Sequence, residues 1–162
     1  MYIAVVIGIV VVAIFLFLGF FGVGSSTQQA PQPEAQSDAQ TLLNEIAKNG
    51  SVASLQIIDT AEGTGVVVKP GDTLTVQYTG VLPDGTAFDT SRQEGREPFT
   101  FVIGSGMVIQ GWEQGLLGMK AGGRRLVAIP PELGYGQRSM GKIPANATLI
   151  FDVELLSVVP GK

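Results

Sequence analysis

The chain has 162 residues, a formal charge of −4, and neither cysteine nor histidine. That length suits one domain plus an appendage. The missing residue types exclude disulfides, thiol nucleophiles, Ser-His-Asp chemistry and thiolate or zinc-hydrolase metal sites. Few Lys and Arg in a mildly acidic chain argue against a nucleic-acid partner. No metal site, nucleotide loop or redox motif stands out, so no cofactor is expected.

Met1–Gly24 carries no charged side chain and is dominated by Val, Ile, Leu and Phe. A run of this kind matches the roughly 20 residues that cross a bilayer as a helix. Two readings stand. An uncleaved, single-pass anchor fits the length and the absence of a basic leader. A cleaved signal peptide fits the small residues Gly22-Val23-Gly24. The first Lys or Arg after the run is Lys48, so the downstream domain is expected on the extracytoplasmic side.

Residues 25–51 read as a polar linker. Ser25–Gln40 holds prolines and almost no aliphatic side chains, too little apolar surface to offset the entropy of ordering. Asp38 is expected to cap a short helix through Lys48, with Leu42, Leu43 and Ile46 as its apolar face and Asn49-Gly50 as its end.

The folded domain is expected over 52–159. Ala53–Asp59 reads as a strand. Lys69-Pro70-Gly71-Asp72 is a tight turn. Thr73–Thr79 alternates, with Leu74, Val76 and Tyr78 on one face. Leu82–Thr86, with Pro-Asp-Gly inside, is a hairpin signal. Phe99, Phe101 and Ile103 share one face of the next strand. Trp112, Leu116 and Met119 then fall at helical spacing, and Ala121-Gly122-Gly123 ends that helix. Arg124–Ile129 is a strand with Val127 and Ile129 inward. Leu133–Ala145 is a Gly-rich loop carrying Tyr135. Ala147–Val158 is the longest strand, with Leu149, Phe151, Val153 and Leu155 on one face. The sum is an α+β domain: a curved antiparallel sheet wrapped on one short helix, preceded by a transmembrane helix and a flexible linker. On periodicity alone, Trp112 reads equally well as plain core.

The motifs decide more. Val76–Gly80, Pro83–Ser91, Pro98–Phe101, Val108–Glu113, Gly134–Gly136 and Ile143–Leu155 occur in the order and spacing of the FKBP-type peptidyl-prolyl cis-trans isomerases, and the chain resembles that family from about Leu55 to Val158. The resemblance implies an apolar pocket between helix and sheet. In it Trp112 would be the floor under a substrate proline, and Tyr78, Phe99, Val108, Ile109 and Phe151 the walls. Phe88, Asp89, Tyr135 and Ile143 would line the rim. Tyr135 would donate its hydroxyl, and Ile109 its N–H, to substrate carbonyls. Asp89 would organise the rim with Tyr78 and Arg96. Asp89, Tyr135, Trp112 and Phe88 are thus the expected catalytic residues. Two departures stand out: Arg92–Glu97 is one residue longer than the short-family pattern, and Lys142 occupies a position expected to be apolar.

The resemblance further implies unfolded or proline-containing polypeptides as substrates, macrolides as inhibitors, a monomeric domain and no cofactor. Two other functions remain open beside isomerisation: a non-catalytic module that holds a proline loop, and a membrane-tethered folding chaperone. The spacing from Tyr135 to Ile143 leaves no room for the inserted flap that strong chaperones of the family often carry.

Overall fold

The computed structural model describes residues 33–161. The anchor expected over 1–24 lies outside them, as does the first part of the linker. Among the described residues no helix is long and apolar enough to cross a membrane.

Helix α1 spans Pro33–Asn49. It begins five residues before Asp38, so the stretch from Pro33 to Gln40, expected as tether, is helical and Asp38 is not its cap. Proline is tolerated in a first helical turn, and Glu34 suits the positive end of the helix dipole. The decisive cause is tertiary. Ala39, Leu42, Leu43 and Ile46 form an i, i+3, i+4, i+7 stripe, with Ile46 1% exposed. That stripe packs on Leu126, Ala128 and Ile150.

The strands are β1 (Gln56–Ala61), β2 (Thr73–Val81), β3 (Ala87–Thr90), β4 (Phe99–Val102), β5 (Arg124–Ile129) and β6 (Leu149–Val159). All pairings are antiparallel, in the order β1-β5-β6-β2-β3, with β4 also beside β2. Strand β6 occupies one edge of β2 along its length. The other edge is divided: β4 pairs Thr73–Val76 and β3 pairs Thr79–Val81. The charged segment Arg92–Glu97 links these two half-edges. A bulge in β6 places Leu155 opposite Val76 and Ser157 opposite Thr75, leaving Leu156 extra and exposed. Such a bulge adds local bend and twist.

Both faces of the sheet are covered. One carries Leu74, Val76, Val127, Ile129, Val153 and Leu155 into the main core. The other presents Leu126, Ala128 and Ile150 to α1. Strand β5 is therefore buried on alternate sides at once, which its continuous apolar run Leu126–Ile129 allows.

Helix α2 spans Gln110–Gly115, shorter than the Trp112–Met119 pattern predicts. Leu116 and Met119 are still buried, but on turns after the helix. The Arg125 guanidinium takes the terminal carbonyls of Gly115 (2.9 Å) and Leu117 (3.0 Å), and its other nitrogens bind the Asp59 carboxylate. A cation at a helix C-terminus meets both its orphan carbonyls and its dipole. Gly111 lets α2 lie directly on β5: a Cβ there would stand 2.4 Å from the Ile129 side chain.

Candidate active site

The indole of Trp112 is the centre. It is 4% exposed and sits in the first turn of α2, whose backbone is fixed by the Trp112 N–H to Ile109 carbonyl bond of 2.9 Å. Four aromatic rings surround it: Tyr78 and Phe151 at 5.2 Å, Phe101 at 5.6 Å and Phe99 at 6.2 Å between centroids. The Tyr78, Phe99 and Phe151 rings stand steeply across the indole plane, at 68° to 86°, an inclination that aromatic pairs prefer. Sheet register produces this cage. Val76 faces Phe99 across one edge of β2, and Gly80 faces Phe151 across the other. Tyr78 lies between them. Gly80 also makes space: a Cβ there would come within 2.6 Å of the Phe88 ring and 2.9 Å of the Phe151 ring.

The side chains around this floor stay partly open. Phe99 is 38% exposed, and Tyr78, Phe88, Val108, Ile109, Leu133 and Tyr135 are half-buried against the same cluster. Ile143 is buried in it. All ten residues singled out in the sequence thus gather at one place, Asp89 through its bond to Tyr78. Phe101, on the same strand face as Phe99, also touches the indole, and Leu133 was not anticipated. Its only sequence signal is an apolar residue two positions before Tyr135.

One rim of the site is polar. The Tyr78 hydroxyl donates to Asp89 Oδ2 at 2.5 Å, Arg96 Nη1 donates to Asp89 Oδ1 at 2.8 Å, and the Thr90 N–H donates to the same Oδ1 at 2.9 Å. Arg96 also binds the Thr90 carbonyl at 2.7 Å, so the longer Arg92–Glu97 segment still delivers it. Burial opposes ionisation of Asp89, but Tyr78, Arg96 and the Thr90 amide outweigh it and hold the carboxyl below the ordinary carboxylate range. Burial, reinforced by that carboxylate, pushes the Tyr78 phenol well above its ordinary value. Tyr78 is therefore a fixed donor and Asp89 a fixed anion.

Two further hydrogen-bonding groups at the site are free. Among the described residues neither the Tyr135 hydroxyl nor the Ile109 N–H has a protein partner. The loop before Ile109 is pinned by Glu113, whose carboxylate accepts from the Gly104 N–H and, at 2.8 Å, from the Gly106 N–H. In the sequence, the spacing of Trp112, Leu116 and Met119 leaves Glu113 off the buried face of the helix. The signal for its actual role was a Gly-Ser-Gly turn followed by an acidic residue in the next helical turn. Among the described residues no group of His, Cys, Asp or Glu is arranged to hold a metal.

The model of the FKBP-type peptidyl-prolyl cis-trans isomerase family matches residues 65–156. The chain belongs to this family. An FK506-binding protein of Neisseria meningitidis is 51% identical over 108 residues, which cover 66% of this chain and 98% of that protein. FK506-binding protein 4 of Aspergillus fumigatus is 40% identical over 131 residues, 81% of this chain but 26% of its own length. Against the Chaetomium thermophilum and Rhizopus delemar relatives the chain likewise spans 22% and 44% of their length. Among solved structures, FkpA from Escherichia coli superposes with a TM-score of 0.63 at 39% identity, covering 80% of this chain and 61% of that one. AtFKBP13 gives 0.61 at 38% identity, covering 67% and 96%. The sheet and its short helix are thus an FKBP-like fold.

Proposed function

We propose that this FKBP-type chain accelerates cis–trans rotation about X-Pro bonds in unfolded or proline-containing polypeptides, at the cluster over Trp112. The observation that carries the proposal is a buried indole edged by half-exposed apolar side chains, with two unpaired donors, Tyr135 and Ile109, beside it.

The reaction asks little of acid–base chemistry. Its barrier of roughly 18–20 kcal/mol comes from amide resonance, and no bond to a side chain need form. Twisting the C–N bond removes that resonance and with it part of the charge on the carbonyl oxygen. An apolar, water-poor site penalises the planar, more polar amide more than the twisted one. That difference is what lowers a barrier. The proline ring would stack on Trp112, between Tyr78, Phe99 and Phe151. Val108, Ile109, Ile143 and Phe88 would close the sides. Tyr135 and the Ile109 N–H would hold the flanking carbonyls, fixing the chain while one end turns. Asp89 would keep Tyr78 and the Arg92–Glu97 segment in place. Each factor of ten in rate needs about 1.4 kcal/mol, so packing and two hydrogen bonds suffice for a thousandfold effect.

The test is cis–trans exchange of X-Pro peptides with the full chain. Tyr135→Phe keeps the ring and removes the donor, and should lower kcat/KM about two- to tenfold, the worth of one hydrogen bond. A folded protein that leaves the exchange rate unchanged ends the isomerase reading, and the site is then a holder for a proline loop. Some relatives are named for FK506 binding. We place a macrolide in the same pocket, so FK506 should inhibit the exchange competitively. From its apolar run, 1–24 is proposed to anchor the chain in a membrane, with the domain on the extracytoplasmic side. Extraction of membranes with alkaline carbonate should leave the full chain in the pellet, and release into the supernatant would count against the anchor.

A further inference from the structure

We propose that Arg138 and Lys142, at the tip of the loop after the Pro131–Leu133 turn, select X-Pro segments that carry an acidic side chain next to the proline. The inference rests on the isomerase reading and adds a substrate preference to it.

Both residues flank the site. The Arg138 N–H bonds the Tyr135 carbonyl at 3.2 Å. Lys142 immediately precedes Ile143, which is buried in the Trp112 cluster. Lys142 Nζ reaches across to the Ala87 carbonyl at 3.4 Å, one residue from Phe88. The tip itself is held in shape: Met140 and Ile143 exchange N–H to carbonyl bonds, each of 2.9 Å. The backbone under Lys142 is therefore set while its charged head stays exposed.

Neither charge is paired with a carboxylate among the described residues. Among the described residues Arg92, Arg96, Lys120, Arg124 and Arg125 all pair with a carboxylate, whereas Arg138 and Lys142 do not. The remaining unpaired cations of this set are Lys48, in α1 behind the sheet, and Lys69, in the turn before β2. The only carboxylate between Pro130 and Thr148 is Glu132, at the far end of the loop. Across the rim, Asp89 is occupied by Tyr78 and Arg96, and Asp84 by the Thr86 N–H. Glu94 and Glu97 lie in the segment that approaches β4. A chain of net charge −4 thus carries a locally positive tip beside the pocket, with the Lys142 ammonium at the Ala87 carbonyl next to Phe88. An exposed charge contact of this kind is worth a few-fold in affinity and is screened by salt.

The experiment uses the full chain and peptides of the form Ala-X-Pro-Phe with X as Glu, Gln or Lys. At low ionic strength kcat/KM should fall from Glu to Gln to Lys, with a Glu-to-Lys ratio of about three- to tenfold, carried mainly by KM. The ratio should shrink towards one at 0.5 M NaCl. The double variant Arg138→Gln, Lys142→Gln should abolish the ratio, the double variant Arg138→Gln, Lys142→Glu should reverse it, and Lys48→Gln should leave it intact. Exchange accelerated equally for all three peptides at low salt overturns the inference and leaves the isomerase reading standing. No acceleration of any peptide overturns the isomerase reading itself. The wild-type salt series decides the matter even if a loop variant fails to fold.

Discussion

At the scale of single residues, the site separates side chains that hold the fold from those that face a substrate, and magnitudes tell which can be used as probes. Trp112 touches four rings and is almost fully buried. Truncating such a side chain to Ala costs about 3–5 kcal/mol, a large share of the stability of any domain this size. Activity lost in Trp112→Ala would therefore report unfolding as readily as catalysis, and Tyr135→Phe is the sharper test. Asp89 offers a second handle, through pH. Its folded carboxyl is held below the ordinary range, so between the unfolded value near 3.9 and the folded one the unfolded chain binds more protons. Stability there rises with pH, is fully present above the unfolded value, and is lost as pH falls through the folded one. Asp72, held down by the N–H groups of Gly161 and Lys69, behaves alike. Melting temperatures of wild type and Asp89→Asn, measured from pH 6 to pH 2.5, should therefore converge as the pH falls. A difference that stays constant across that range would show that ionisation of Asp89 contributes nothing to stability.

Among elements, α2 is the piece on which the site depends, and its position is fixed by contacts that do not touch a substrate. Gly111 sets its height over β5, Arg125 ties its end, and Glu113 reaches back to the loop before it. Gly111→Ala puts a methyl into Ile129, which is itself fully buried. Overpacking of this kind costs about 1–3 kcal/mol, and chemical denaturation should show it. Exposed Gln110→Ala should stay within about 0.5 kcal/mol of wild type. The strands were legible in sequence because Leu74, Val76 and Tyr78, or Phe151, Val153 and Leu155, alternate over long enough runs to fix a face. The end of α2 was not, because Leu116 and Met119 keep helical spacing while sitting on turns. Arg125 was not either: a charged residue in a strand carries no mark of the carbonyls it will meet from another element. In the site, the aromatic set was legible through its motifs, whereas the Glu113 clamp depends on loop geometry that composition does not encode.

For the whole molecule, the sheet is a wall with the Trp112 site on one side and α1 on the other. This arrangement was legible in part: Leu42, Leu43 and Ile46 mark a helical face in the sequence, while the polar composition of 25–40 masks the start at Pro33 and the contact of Ala39. It has a consequence that can be measured. Ile46 is 1% exposed against Leu126, Ala128 and Ile150. If α1 unfolds together with the sheet, Ile46→Ala should lower global stability by about 2–4 kcal/mol. If α1 opens alone, the loss is limited to the free energy of docking it, and amides of α1 should exchange with solvent far faster than those of β5 and β6. Opening α1 alone would uncover Leu126, Ala128 and Ile150 behind the sheet, which favours the first outcome, because burying a Leu or Ile side chain is worth about 1.5–3 kcal/mol. In both cases catalysis should be spared: the altered side chain faces away from Trp112, and no residue of α1 belongs to the pocket cluster. Native-state hydrogen exchange on wild type and Ile46→Ala, with X-Pro exchange assayed on the same samples, checks both parts. Matched slowing of exchange in α1 and β5 with a common loss on mutation supports one cooperative unit. A large fall in kcat/KM from a folded Ile46→Ala protein would show that the two sides of the sheet are coupled and not independent.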